Sequence, residues 1–259
     1  MARHWPEYAM EAVELGSFMV SACCVTTFLF HPASPAVAAI PDAMVRRVLT
    51  GVAMGLTGIA IVYSPFGKRS GAHFNPSVTL TFLRLERIAP ADALCYVLAQ
   101  FAGAIAGVLL AAALLGERLA DAAVRYAVTV PGPAGPRVAF LAELAISFGL
   151  MTIVLLVSNT PRLARFTGLF AGLLVATYIS LEAPLSGMSM NPARSFGSAF
   201  SARSWTALWV YFTAPPLGML LAAETYLRLG SSRGVFCAKL HHDNPSRCIF
   251  CAYREGRRA

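Results

Sequence analysis

The sequence predicts an all-α integral membrane fold: six transmembrane helices plus two re-entrant half-helices, arranged as an inverted repeat. Three observations lead there. Of 259 residues, 57% are hydrophobic and 13% charged, about half the charged share of an ordinary soluble domain. The apolar residues gather in blocks of about 20, the length that crosses a hydrocarbon core about 30 Å thick. An Asn-Pro-small triplet also occurs twice, as Asn75-Pro76-Ser77 and Asn191-Pro192-Ala193, each after the second block of its half. Long blocks without period-2 alternation, rich in Gly and Ala, argue against an outer-membrane barrel.

The apolar blocks run roughly over 8–30, 45–64, 91–115, 137–157, 167–183 and 205–228. The first follows only a few polar residues and lacks a small-residue cleavage site, so it is expected to stay as a span and not to be a removable signal peptide. With both termini on one side, 14 of the 21 Lys and Arg fall on that side, including Arg233, Arg257 and Arg258 of the tail, and 7 on the other. The positive-inside rule then places both termini in the cytoplasm, the chain being a multi-pass protein of a cell (inner or plasma) membrane. Topology accounts for the net charge of +8, so no nucleic-acid partner is expected. Two lysines among the 21 cations hint at a GC-rich, bacterial genome.

Three spans per half make the halves enter the membrane in opposite senses. The repeats cover about 8–115 and 137–228 within a membrane domain 1–228, and a tail rich in Cys, His and Arg occupies 229–259. In each copy the triplet opens a stretch too short to span, Ser77–Leu83 and Ala193–Phe200. Pro fits the first helical turn, where its missing N–H costs nothing, and the Asn before it caps the free N–H groups. Two such caps meeting at the midplane put two amide donors and two positive helix ends at one point without net charge. The backbone just before each triplet, Gly71, Ala72, His73, Phe74 and Gly187, Met188, Ser189, Met190, must be non-helical at membrane depth. That is tolerable where its carbonyls line a wet cavity.

One Asn-Pro pair is a common turn signal, but two in equivalent places of an inverted repeat are specific. Here the chain resembles the major intrinsic protein family, the aquaporins and aquaglyceroporins, over residues 8–228: GAHFNPSVT and MNPARSFG match its two signature loops. Ser77 replaces the usual Ala, a mild departure because Ser is also small. Gln100-Phe101-x-Gly103, Glu143 and Pro215-x-x-Gly218 are further matches. The resemblance implies a passive channel for water and small neutral solutes, excluding protons and ions, with a homotetramer in the bilayer and no cofactor or catalytic residues.

It also implies site residues. Arg194 takes the place of the family's constriction arginine, and Ile179, Met188 and Gly55 (or neighbouring Met54 or Leu56) take the other three places. None of these is aromatic, which puts strict water selectivity in doubt and points to glycerol, urea or ammonia as further solutes. Ser195, Ala199 and Tyr211-Phe212 resemble water channels instead. Glu143 and Glu14 (or Glu11) are expected to support the re-entrant backbones through hydrogen bonds. His73 is expected to line the pore without proton chemistry. The Gly51, Gly55, Gly103, Gly107, Gly168 and Gly172 pairs read as close-packing sites, and Cys23, Cys24 and Cys95 as small core residues.

In the tail, Cys237, His241, Cys248 and Cys251 resemble a zinc site in type and spacing, with His242 adjacent. A competing reading of the whole chain is a proton-coupled transporter or membrane enzyme using His73, Glu143 or this tail. Against it, the sequence carries no HExxH or GxSxG motif.

Overall fold

The computed structural model describes residues 3–229 and 234–256; Arg233, Arg257 and Arg258 lie outside them. The helices are α1 (Trp5–Phe30), α2 (Pro35–Ala39), α3 (Ala43–Tyr63), α4 (Pro65–Ser70), α5 (Pro76–Arg84), α6 (Pro90–Leu115), α7 (Pro136–Ser158), α8 (Thr167–Leu181), α9 (Ala183–Ser186), α10 (Pro192–Ala202), α11 (Leu208–Leu229) and α12 (Ile249–Gly256). Among the described residues there are no strands. Five helical runs, those of α1, α3, α6, α7 and α8, are long and apolar enough to cross a membrane. The sixth span, α11, has 22 residues and carries Pro215 and Pro216 inside it.

The packing repeats itself across the two halves. Helix α1 packs on α6 as α7 packs on α11, half-helix α10 rests on α6 as α5 rests on α11, and α3 pairs with α8 along the pseudo-symmetry axis. Small residues make these approaches possible. A Cβ at Gly55 would lie 2.5 Å from the carbonyl oxygen of Gly172, and one at Gly107 would lie 2.3 Å from that of Gly16. Both half-helices start as their sequence requires. Asn75 Oδ1 accepts from the Ser77 N–H (2.8 Å), and Asn191 Oδ1 from the N–H groups of Ala193 (3.1 Å) and Arg194 (3.2 Å).

The tail folds back onto the face that carries the N-terminus, where Arg247 Nη1 donates to the Arg3 carbonyl (3.2 Å). Val235, Ala238, Leu240, Ile249 and Phe250 are buried in one core cluster with Ala72, Phe82 and Tyr96.

Candidate functional site: a channel between two re-entrant loops

Each re-entrant loop begins where a short helix ends in a left-handed glycine, α4 at Gly71 (φ 103°) and α9 at Gly187 (φ 79°). Positive φ then recurs in matched places, at Ala72 and Phe74 in the first loop and at Met188 and Met190 in the second. Non-glycine residues adopt such angles only when the surroundings impose them, and here a buried carboxylate in each half does so. Glu143 accepts from Ser186 Oγ, the Ser189 N–H and the Met190 N–H, each at 2.7 Å. In the first half the equivalent acceptor is Glu11, which takes the N–H groups of His73 (2.9 Å) and Phe74 (2.7 Å) and the amide of Gln100 (2.7 Å). Glu14 accepts from Ser70 Oγ (2.6 Å), so it braces the loop's start while Glu11 is the counterpart of Glu143. Tyr96 and Tyr211 complete the match by donating to the carbonyls of Ser70 and Ser186.

The loops meet through reciprocal bonds. Asn75 Nδ2 donates to the Met190 carbonyl (2.8 Å), and Asn191 Nδ2 to the Phe74 carbonyl (2.7 Å). An amide nitrogen has two hydrogens, so each Asn keeps one that is not used in joining the loops. Both Asn side chains line a cavity of about 540 Å³ that also touches His73, Phe74, Gly187, Met188, Ser189, Met190 and Arg194.

Four expected positions, Gly55, Gly71, Ala72 and His241, need correction. Gly55 does not line the cavity: it faces α8, and the cavity is lined from α3 by Arg47, Thr50, Met54, Gly58 and Val62. With 3.6 residues per turn, one residue of register turns a side chain by about 100°, enough to move it from the pore wall to a helix interface. Leu56, the other neighbour, is exposed on the outer surface. Gly71 and Ala72 do not line the cavity either; the Gly71 carbonyl accepts from the Leu240 N–H of the tail (3.0 Å), and Ala72 is fully buried. In the tail, His242 and not His241 joins Cys237, Cys248 and Cys251. The His241 ring packs edge-on against Tyr63.

Met54, Ile179, Met188 and Arg194, the remaining positions expected at the constriction, all line the cavity. The Nη1 of Arg194 is buried with no hydrogen-bond partner among the described residues. His73 is satisfied on both nitrogens, with Nδ1 on Thr79 Oγ1 (3.0 Å) and Nε2 on the Ala238 carbonyl (2.8 Å). A carbonyl only accepts, so Nε2 carries a hydrogen. Its ring stacks between Phe82 and Phe250. Ser77 Oγ, fully buried, finds no partner among the described residues.

Glu11, Tyr96 and the tail contacts are what the sequence reading missed or left open. Lys239 is buried within the tail and donates to the carbonyls of Ser246 (3.1 Å) and Arg247 (2.8 Å), and burial lowers its pKa below the usual lysine value.

An inverted repeat of membrane helices, with two half-helices meeting tip to tip beside a cavity, defines a transmembrane channel. The chain belongs to the major intrinsic protein family, whose pattern, "Major intrinsic protein", matches residues 11–226. It is 38% identical over 196 residues to "Glycerol uptake facilitator protein-like 6" of Lactiplantibacillus plantarum, covering 70% of this chain and 84% of that protein. It is 36% identical over 169 residues to "Aquaporin NIP6-1" of Arabidopsis thaliana, covering 65% of this chain and only 53% of that relative's length. The aquaglyceroporin structure from Plasmodium falciparum superposes with a TM-score of 0.71 at 20% identity, over 86% of this chain and 95% of that one. At that identity the likeness concerns the fold.

Proposed function

We propose that this protein is a passive channel for water and small neutral solutes, glycerol foremost, in a cell membrane, with both termini cytoplasmic and four copies in the assembly. The observation that carries the reading is the make-up of the cavity wall. Donors from Asn75, Asn191 and Arg194 share the cavity with the apolar side chains of Met54, Ile179 and Met188. A polyol fits such a pore because it has hydroxyls along one edge and carbon along the other. Water gains partners on the polar side only, and each dehydrated hydrogen-bonding group left unmatched is costly, so its flux is expected to be modest. The glycerol uptake facilitator named above supports the same solute class.

Protons and cations are opposed by the two positive half-helix ends and by Arg194, none of which depends on an aromatic or imidazole at position 179. Stopped-flow light scattering on proteoliposomes, with water, glycerol, urea and ammonia side by side, tests the reading. Flux of water and of glycerol above that of empty vesicles is the expected result. A proton current through the wild type would overturn it.

A further inference from the structure

The tail holds three thiols and an imidazole that the channel reading does not use. Cys237, His242, Cys248 and Cys251 each offer one ligand atom, and these four atoms lie within 4.8 Å of one another. Cys237 Sγ is 3.4 Å from Cys248 Sγ and 3.8 Å from Cys251 Sγ, and Cys251 Sγ is 3.9 Å from His242 Nε2. A tetrahedral zinc ion, with Zn–S of about 2.3 Å and Zn–N of about 2.0–2.1 Å, sets its ligand atoms about 3.5–3.8 Å apart. Cys237 Sγ stands at about that spacing from both other sulfurs, and all three cysteines are free thiols. The Lys239 N–H also approaches Cys237 Sγ (3.5 Å), a contact that steadies a metal-bound thiolate.

The surroundings of the cluster say what an ion there would hold. The stretch from 234 to 248 has no helix or strand, yet it presents buried Val235, Ala238 and Leu240 to the membrane domain. Ala238 accepts from His73, Leu240 donates to Gly71, and Phe250 stacks on the His73 ring at 5.4 Å. Leu240 itself lines the channel cavity. An irregular segment this short has little core of its own, and a structural metal is a common staple for such segments.

We propose that Cys237, His242, Cys248 and Cys251 bind one zinc ion, and that this ion fixes the tail over the channel mouth on the face carrying both termini. Three soft thiolates and one imidazole in a closed four-ligand set favour zinc over harder divalent ions. The second half of the proposal rests on the channel reading above; the first does not, because metal content is measured without transport.

Elemental analysis of the full-length protein, purified in detergent without chelator, should find about one zinc per chain. Exchange into Co2+ should give the thiolate-to-cobalt charge-transfer absorption of a tetrahedral site. Cys248→Ser and His242→Ala should lose the metal, whereas His241→Ala should retain it. Since the wild-type cobalt spectrum needs no variant, misfolding of Cys248→Ser would not mask the answer. Protein without zinc that also fails to take up Co2+ overturns the site, and so does retention of metal by both loss variants. In proteoliposomes, removing the zinc with a chelator should raise water and glycerol flux; unchanged flux from demonstrably metal-free protein overturns the role at the mouth.

Discussion

The two re-entrant loops share one scaffold and differ in what covers them. In both, a glycine cap, a serine, a tyrosine and a buried glutamate hold the same sequence of backbone turns. The first loop is then covered by the tail, through Leu240 on Gly71 and Ala238 on His73. The second is covered by the linker between the repeats, where the Gly132 N–H donates to the Leu185 carbonyl (2.9 Å) and Thr129 Oγ1 meets Ser195 Oγ (2.7 Å). Position three of each half-helix differs as well, Val78 in the first and Arg194 in the second. The shared parts hold the two loops against the cavity, and the unshared parts are where the proposed filter and the proposed covered mouth differ between its two ends.

The largest effect expected from breaking this symmetry is at the glutamates. Glu143→Ala or Glu11→Ala strands three buried donors, each costing roughly 1–3 kcal/mol when left unpaired. Both variants should fail to give folded channel in membranes, as read by yield after detergent extraction. Glu14→Ala loses one bond, to Ser70, and should fold with a lower melting temperature. Equal behaviour of all three would dissolve the pairing of Glu11 with Glu143.

Next in size is the junction of the two loops. Asn191→Leu removes both the bond to Phe74 and a cavity donor, and correctly inserted protein should lose at least about tenfold in water flux, the equivalent of about 1.4 kcal/mol. Normal flux would mean that the pore runs elsewhere.

A third pair separates wall from interface on α3. Gly55→Leu should lower stability, because its Cβ meets the Gly172 backbone. Met54→Ala should fold normally and change solute flux. The reverse pattern would restore Gly55 to the filter.

The smallest expected effect is at Ser77. Its hydroxyl is buried without a partner among the described residues, so Ser77→Ala, the residue usual in the family, should raise stability by about 1 kcal/mol. A thermal shift in the opposite direction would indicate that the hydroxyl has a role.

Much of this was legible in the sequence, for physical reasons. Apolar blocks report spans directly, and all six helices end within three residues of the expected limits. Asn and Pro report helix starts, which is why both half-helices fall where the triplets put them. Register was harder. Glu11 and Glu14 lie three residues apart on one helical face, so periodicity alone could not say which one meets the loop backbone. Gly55 and Met54 lie one residue apart in an apolar run, where nothing local marks the pore side. The tail was least legible: His241 and His242 are adjacent and chemically alike, so spacing could not choose between them, and the docking of Ala238 and Leu240 depends on contacts with residues more than 160 positions away.

The central claim is that the pore between Asn75 and Asn191 ends in a filter with one polar and one apolar wall. It is tested most directly by stopped-flow permeability of wild-type proteoliposomes to water and glycerol in the same preparation, with an internal pH dye. The account predicts glycerol flux clearly above empty vesicles, a modest water flux, and no collapse of an imposed pH gradient. Rapid water flux with glycerol at the empty-vesicle level would contradict it.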